Sequence, residues 1–230
     1  MQAGGEVSKT RPELDSGVFW KRIIGRTLDE GIPEKWREST FEGRSPLAAA
    51  FLEQLPDAAR VLDFGSGIGR NALALARRGH SVTVCDVAED GVRFSLEMAR
   101  EEGLAVDAAG CDGWTIELPD AAVDGVLAWS CLDHVTLAWA SELAGELSRV
   151  ARSGALLLVS FDEDKGDDPD SECELLDDGT HHYTSGRRAG MLFRLYTNEE
   201  IKGLFADEWE LLEFEGHDMS VPRRGLFRRI

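Results

Sequence analysis

The chain has 230 residues, 43% of them hydrophobic, which suits one α/β domain with additions. Acids outnumber lysine plus arginine by 43 to 25, a formal net charge of −18, and such a surface repels nucleic-acid phosphates and anionic lipid. No apolar run approaches the roughly 18 residues of a membrane span, and Met1–Thr10 lacks the apolar stretch of a signal peptide. A cytoplasmic protein without nucleic-acid or membrane partners is expected.

Residues 1–16 are polar, carry Gly and Pro, and predict a loose end. From Val18 to Phe51 the pattern is helical and bears Phe19, Trp20, Trp36 and Phe41, with Pro33 and Pro46 where helices can begin. Residues 1–54 are thus an expected N-terminal helical cap, and 55–230 the main domain. Arg60–Phe64 predicts the first strand. A helix from about Arg70 aligns Ala72, Leu75 and Ala76 and stops at Gly79. Ser81–Cys85 is the second strand, Glu89–Glu102 a helix ended by Gly103, and Leu104–Ala109 a weaker third strand. Val123–Ser130 is short and apolar, as a strand buried on both faces should be. Thr136–Ala151 is a helix with Leu143, Leu147 and Val150 in register, and Ala155–Phe161 is the fifth strand. This alternation argues for a doubly wound parallel sheet.

The last third changes character. Asp162–Asp178 holds ten acids in 17 residues and reads as a solvated loop. Asp177-Asp-Gly-Thr180 is a turn signal, across which Glu174–Leu176 and Met191–Tyr196 are expected to pair. Thr197–Glu200 is a capping box opening a helix with Ile201, Leu204 and Phe205. Trp209–Phe214 and Gly225–Ile230 read as closing strands. The four cysteines, Cys85, Cys111, Cys131 and Cys173, form no C-x-x-C pair; they read as small hydrophobes, without disulfides in a reducing compartment.

The chemistry concentrates at Asp63-Phe-Gly65-Ser-Gly67-Ile-Gly69, set between the first strand and its helix, with Asp86 ending the second strand. This is half of a nucleotide-binding βαβ unit. Glycine permits φ > 0 and close ligand approach, bare N–H groups at a helix start suit an anionic ligand group, and an acid at the second strand's tip sits where a ribose diol is read. Asp86 as a cap for the following helix is the competing reading. A dinucleotide fingerprint, G-x-G-x-x-G, would place the third glycine one position later.

The motif resembles motif I, D/E-x-G-x-G-x-G, of class I S-adenosylmethionine (SAM)-dependent methyltransferases, in the type 11 and tellurite-resistance-like group. The resemblance covers roughly Leu55 to Ile230, with its specific motifs between Val61 and Val135. It implies a Rossmann-like, mostly parallel seven-stranded sheet whose last two strands are Trp209–Phe214 and Gly225–Ile230. It implies Asp63 near the cofactor's amino group, the backbone of Gly65, Ser66, Gly67 and Gly69 against its methionine end, and Asp86 on the ribose. It places Val87 against adenine, Asp112 at the adenine amino group with Gly113 and Trp114 beside it, and Ser130 at the end of strand four. Arg70 and Asn71 are expected to be exposed. His134 follows strand four in a Leu-x-His-Val sequence and has two readings, a general base or a brace for its loop. Asp133, Asp162 and Asp164 raise a Mg²⁺ site, but the Asp-Asn pair of metal-dependent members is absent, and no metal is expected.

The resemblance implies methyl transfer to a small-molecule acceptor by in-line displacement, with S-adenosylhomocysteine as product. Two rivals are a non-catalytic SAM-binding regulatory protein and a nicotinamide-dependent oxidoreductase. Residues 162–196, long for a connection, are expected to form a hairpin-like insertion over the acceptor, which Trp20, Trp36, His134, Tyr183 and Phe193 would contact. A dimerisation arm is the alternative use, so the choice between monomer and homodimer stays open.

Overall fold

Alternate residues of the central strands enter opposite cores, which is why those strands read as continuous apolar runs. The computed structural model describes residues 12–162, 169–217 and 222–230, with side chains from residue 16 on and those of Trp36 and Arg37 outside the description. In β1 (Arg60–Phe64), Leu62 and Phe64 join one core cluster and Val61 the other. In β4 (Val123–Trp129), Val126 and Ala128 face one way and Leu127 the other. Each fully buried side chain of this kind stabilises the fold by about 1.5–3 kcal/mol.

The strands β2 (Ser81–Cys85), β3 (Val106–Ala108) and β5 (Ala151–Phe161) join β1 and β4 in parallel. The closing strands β9 (Trp209–Glu215) and β10 (Arg223–Arg229) are antiparallel, and the sheet order is β3-β2-β1-β4-β5-β10-β9. The strand β5 starts four residues before the expected Ala155. Its first residue, Ala151, pairs with Val123, the register shifts, and Leu156 then pairs with Gly125. Gly154, at φ 79°, supplies the left-handed backbone for that irregularity.

Helices α1 (Pro12–Glu30), α2 (Glu34–Arg37) and α3 (Pro46–Gln54) precede the sheet. Ser45 caps α3 by accepting from the Leu47 N–H, and Phe51 and Leu47 bury α3 in one sheet face. α4 (Arg70–Arg77) lies on that same face, while α6 (Leu137–Val150) and α7 (Asn198–Gly203) cover the other. α1 lies instead across the carboxyl end of the sheet, packed through Ile24 against Ile68 and Ala88, beside α5 (Glu89–Glu102).

The segment after β5 forms a separate three-stranded sheet, β6 (Cys173–Leu175), β7 (His181–Tyr183) and β8 (Leu192–Phe193), in that order. This corrects the expected pairing of Glu174–Leu176 with Met191–Tyr196. Glu174 pairs with His182, and β8 reaches β7 rather than β6. The turn at 176–180 is too tight to skip a strand, because the Leu176 N–H already donates to the Thr180 carbonyl. The arginines of β10 are structural. Arg223 is fully buried and donates to the Tyr196 and Asp162 carbonyls, and Arg224 pairs with Glu215 at 2.8 Å.

Candidate functional site: a cavity at the carboxyl end of the sheet

The loop from β1 to α4 is closed by its neighbour β2. The N–H groups of Gly65 and Ser66 both donate to the Cys85 carbonyl, at 2.8 and 3.3 Å. The Gly67 N–H donates to Asp86 Oδ2, and the Ala88 N–H to Asp86 Oδ1, each at 2.7 Å. The N–H groups of Gly65, Ser66 and Gly67 are therefore engaged within the fold. Asp86 is a clasp that holds the glycine loop to the start of α5; the competing reading anticipated its bond toward the helix but not the one to Gly67. Two charged-acceptor hydrogen bonds still leave lone pairs on both oxygens for a ligand diol. Burial pushes the Asp86 carboxyl up, and the two N–H groups hold it down.

The three glycines are glycines for different reasons. A Cβ on Gly65 would lie 2.6 Å from the Cys131 Cβ, and one on Gly69 only 2.2 Å from the Ser95 Cβ. Gly69 therefore serves helix packing, at the N-cap of α4 with φ 76°. Gly67 has room, since its nearest neighbour would be Ile24 Cδ1 at 3.8 Å, but its φ of 57° favours glycine. On α5, Gly91 is needed because a Cβ there would meet the Gly67 carbonyl oxygen at 2.3 Å.

A cavity of about 670 Å³ opens over this loop. Gly65, Ser66, Gly67, Asp86, Val87, Gly113 and Ser130 of the expected cofactor residues line it, whereas Asp63, Gly69, Asp112 and Trp114 do not. Asp63 lies just beneath, 1% exposed, with Oδ2 unpartnered, and the Ser66 hydroxyl is unpartnered too. Burial pushes the Asp63 carboxyl up to about 7, helped by Asp86 and opposed by the Ala72 N–H and by Arg70. A buried carboxyl with its Oδ2 unpartnered, below the glycine loop, suits a ligand carrying positive charge. The amino and sulfonium groups of SAM fit that demand.

At one end of the cavity, Val87, Gly113 and Trp139 form a flat apolar slot. The Trp139 indole N–H donates to the Gly113 carbonyl at 2.5 Å, and a Cβ on Gly113 would meet that ring at 3.0 Å. Trp139, on the first turn of α6, was not singled out in the sequence; its signal was the Thr136 cap, whose hydroxyl accepts from the Trp139 N–H. Trp114 stacks on Trp139 at 4.7 Å without lining the cavity. Asp112 is turned to solvent. Its Oδ1 accepts from the Trp114 and Thr115 N–H groups, both at 2.8 Å, which holds its carboxyl below the usual range. Cys85, Cys111 and Cys131 line the cavity as free thiols.

At the other end stand Trp20, Ser130, His134 and Asp162. Ser130 ends β4 at φ 51°, a strained conformation for a non-glycine residue, and its hydroxyl donates to Asp162 Oδ1 at 2.9 Å. His134 Nδ1 is 3.0 Å from the Leu192 carbonyl of β8. A carbonyl only accepts, so Nδ1 carries the proton and Nε2 is left as an acceptor. The Ser16 hydroxyl of α1 donates to the His134 carbonyl at 3.1 Å, and the Trp20 ring meets the imidazole edge-on at 4.7 Å. Asp133 is fully buried behind this wall, where Oδ2 accepts from the Asp162 N–H at 2.9 Å. Burial pushes its carboxyl up, and His134 draws it down.

Beyond Asp162, the described residues of the insertion reach the cavity only indirectly. Phe193 packs behind His134 at 5.6 Å, and Tyr183 accepts from Arg188 at 2.9 Å in a separate concavity of about 310 Å³ bordered by Val18 and Phe19. Neither lines the main cavity, which corrects their expected substrate contact. The side chain of Trp36 and all of Asp164 lie outside the described residues. Among the described residues no group of three His, Cys, Asp or Glu side chains could hold a metal ion, and no helix is long and apolar enough to cross a membrane.

Arg70 and Asn71, expected to be exposed, are half-buried in the cavity wall beside Ser39 and Thr40, with the exposed Lys35 and Arg44 at its edge. Arg70 donates to the Ser39 carbonyl at 2.7 Å, and Asn71 Oδ1 accepts from the Phe41 N–H at 2.9 Å.

Known proteins carry the same design. A methyltransferase-domain family model matches residues 61–154. The chain is 39% identical over 72 residues to magnesium-protoporphyrin O-methyltransferase of Rhodobacter capsulatus, an alignment covering 30% of this chain and 31% of that protein. It is 27% identical over 216 residues to ubiquinone biosynthesis O-methyltransferase of Xanthomonas axonopodis pv. citri (strain 306), covering 86% of this chain and 85% of that one. A similar fold, with a TM-score of 0.70 at 20% identity over 98% of this chain and 93% of the other, is the Burkholderia thailandensis 1,6-didemethyltoxoflavin-N1-methyltransferase, solved with 1,6-didemethyltoxoflavin and S-adenosylhomocysteine bound. Residues 61–154 thus match a methyltransferase domain, and the whole chain shares the fold of solved SAM-dependent methyltransferases.

Proposed function

We propose that this chain methylates a small molecule held over the carboxyl ends of β4 and β5, with His134 as general base. The observation that carries this reading is the continuity of one cavity from the Gly67–Asp86 clasp to the His134 ring. When bound, SAM supplies an electrophilic methyl group on a sulfonium, transferred by in-line displacement. Asp86 would accept from the ribose hydroxyls, Asp63 would face the amino group, and Val87, Gly113 and Trp139 would enclose the adenine. His134, with its proton fixed on Nδ1 by the Leu192 carbonyl, offers Nε2 to the proton of an acceptor hydroxyl, amine or thiol. α1 shields the reacting groups from water through Ser16, Trp20 and Ile24. Orientation of two reactants in one enclosed space supplies much of the acceleration in such a transfer.

The insertion acts in this reading as a brace for His134 rather than as a direct acceptor contact. The net charge of −18 supports a small-molecule acceptor over a nucleic acid. Three free thiols in the cavity wall favour a reducing, cytoplasmic setting, with the protein as monomer or homodimer. Incubation with methyl-labelled SAM and pools of small molecules tests the proposal, read by mass detection of a labelled product. Tight SAM binding without any product from any pool would overturn it in favour of a non-catalytic SAM-binding protein.

A further inference from the structure

The insertion supplies a cap to a helix of the main domain. α6 begins at Leu137 and carries Trp139, a wall of the flat apolar slot, in its first turn. The first four N–H groups of a helix have no partner within it. Thr136 answers one of them, since its hydroxyl accepts from the Trp139 N–H at 3.3 Å. The Leu137 N–H donates instead to Asp178 Oδ2 at 2.8 Å, across 41 positions. Asp178 sits in the turn between β6 and β7, well beyond the residues 61–154 that match the methyltransferase domain.

Asp178 is fixed for that bond from its own side. Its Oδ1 accepts from the Thr180 N–H and its Oδ2 from the Thr180 hydroxyl, both at 2.9 Å. The buried Arg194 guanidinium donates to the Asp178 carbonyl and pairs with Glu200 at 2.5 Å. Burial pushes the Asp178 carboxyl up, but the Leu137 and Thr180 N–H groups, the Thr180 hydroxyl and the Arg194 charge outweigh it and hold it below the usual range. A carboxylate in this place also faces the positive end of the 14-residue helix dipole. The same insertion holds the turn that carries His134. The Arg194 N–H donates to the Asp133 carbonyl at 2.8 Å, and the Leu192 carbonyl accepts from His134 Nδ1 at 3.0 Å. Residues 133, 134 and 137 are thus all fastened to the insertion.

We infer that Asp178 is a positioning residue for the cofactor: it fixes the first turn of α6 and, through it, the Trp139 ring that walls the adenine slot. This rests on the reading above that places the adenine of SAM against Val87, Gly113 and Trp139. The Trp139 indole reaches the Gly113 carbonyl at 2.5 Å only while its turn is wound, so fraying of that turn withdraws the ring. A slot that is formed for part of the time lowers the apparent affinity by that fraction. The insertion therefore joins the two ends of the cavity, with one attachment on the base and one on the cofactor slot.

The test titrates S-adenosylhomocysteine into the whole chain by calorimetry. Asp178→Ala is expected to weaken its affinity about three- to tenfold, within the range of a lost helix cap. Asp178→Asn keeps an oxygen for the Leu137 N–H and should bring the affinity back to within about twofold of wild type. A Trp139→Leu background separates positioning from general stability. There Asp178→Ala should cost no further affinity, because the ring that it positions is gone. Unchanged affinity in a folded Asp178→Ala protein overturns the inference and leaves Asp178 a helix cap alone. A full, additive loss in the Trp139→Leu background overturns it as well. If Asp178→Ala does not fold, Thr180→Val removes only the hydroxyl on Asp178 Oδ2 and should weaken binding about twofold or more. Unchanged affinity in that variant is equally fatal. Wild-type protein that fails to bind S-adenosylhomocysteine is a different failure, that of the cofactor reading itself.

Discussion

The two halves of the cavity are built in opposite ways. The clasp at the heart of the cofactor half is assembled within one stretch of chain: Gly67 meets Asp86 across 19 positions. The acceptor half is assembled from remote segments. Ser16 reaches His134 across 118 positions, His134 reaches Leu192 across 58, and Arg22 of α1 donates to the Ala189 carbonyl of the insertion across 167. The clasp is set once β1 and β2 pair. The acceptor half exists only once α1 and the insertion have both docked. The loop clasp is therefore local to one βαβ unit, whereas the surroundings of His134 depend on segments far apart in the chain.

The largest expected effect falls on the acceptor half. His134→Asn keeps an amide N–H near the Nδ1 position but removes Nε2, and turnover should fall about 10²–10⁴-fold with stability and S-adenosylhomocysteine affinity intact. Full activity in that variant would make His134 a brace alone and leave the acceptor half a purely positioning surface. In the cofactor half, Gly69→Val forces a side chain into a left-handed backbone, about 1–2 kcal/mol. It also drives that side chain into Ser95, about 1–3 kcal/mol more. Urea denaturation should show the summed loss, and a change within error would mean that the loop is softer than its packing indicates.

Asp63 gives the cofactor half a pH signature. Its carboxyl is raised to about 7 in the fold, above its unfolded value near 3.8, so the native state binds the extra proton between those values. Stability from this group is therefore present below about pH 4 and is lost as pH rises to about 7, an effect of order 2–4 kcal/mol. Unfolding of wild type and Asp63→Asn at pH 5 and pH 7.5 isolates it: the difference between the two pH values should be smaller in the variant. Equal pH dependence in the two proteins would show that Asp63 is hydrated in solution.

Asp86→Ala should weaken S-adenosylhomocysteine binding by about 1.5–3 kcal/mol in calorimetry. A folded variant with unchanged affinity would reduce Asp86 to its clasp role. The smallest expected effect is at Gly17 of α1, where a Cβ would meet nothing within 4 Å. Gly17→Ala should raise stability by about 0.5–1 kcal/mol through helix propensity alone. A larger gain accompanied by slower turnover would show that α1 must move during the reaction.

Sequence alone determined the sheet strands β1, β2 and β4, the helices between them, and the glycine loop with its strand-tip acid, because each follows from local rules. Apolar runs bounded by turn residues make buried strands, positive-φ glycines end one element and start the next, and an acid at a strand tip stays there whatever surrounds it. Asp63, Gly67 and Asp86 were legible for that reason. The tertiary structure decided the rest. It spent the loop N–H groups on Cys85 and Asp86, and it assigned Gly69 to Ser95 and Trp114 to the back of Trp139. It turned Asp112 outward and brought Lys35, Arg44 and Arg70 to one wall. It also held His134 between α1 and β8. None of these has a local signature, because each depends on which distant surface fills the remaining space around a side chain, and hydrophobic burial, which sets that arrangement, carries no direction along the chain.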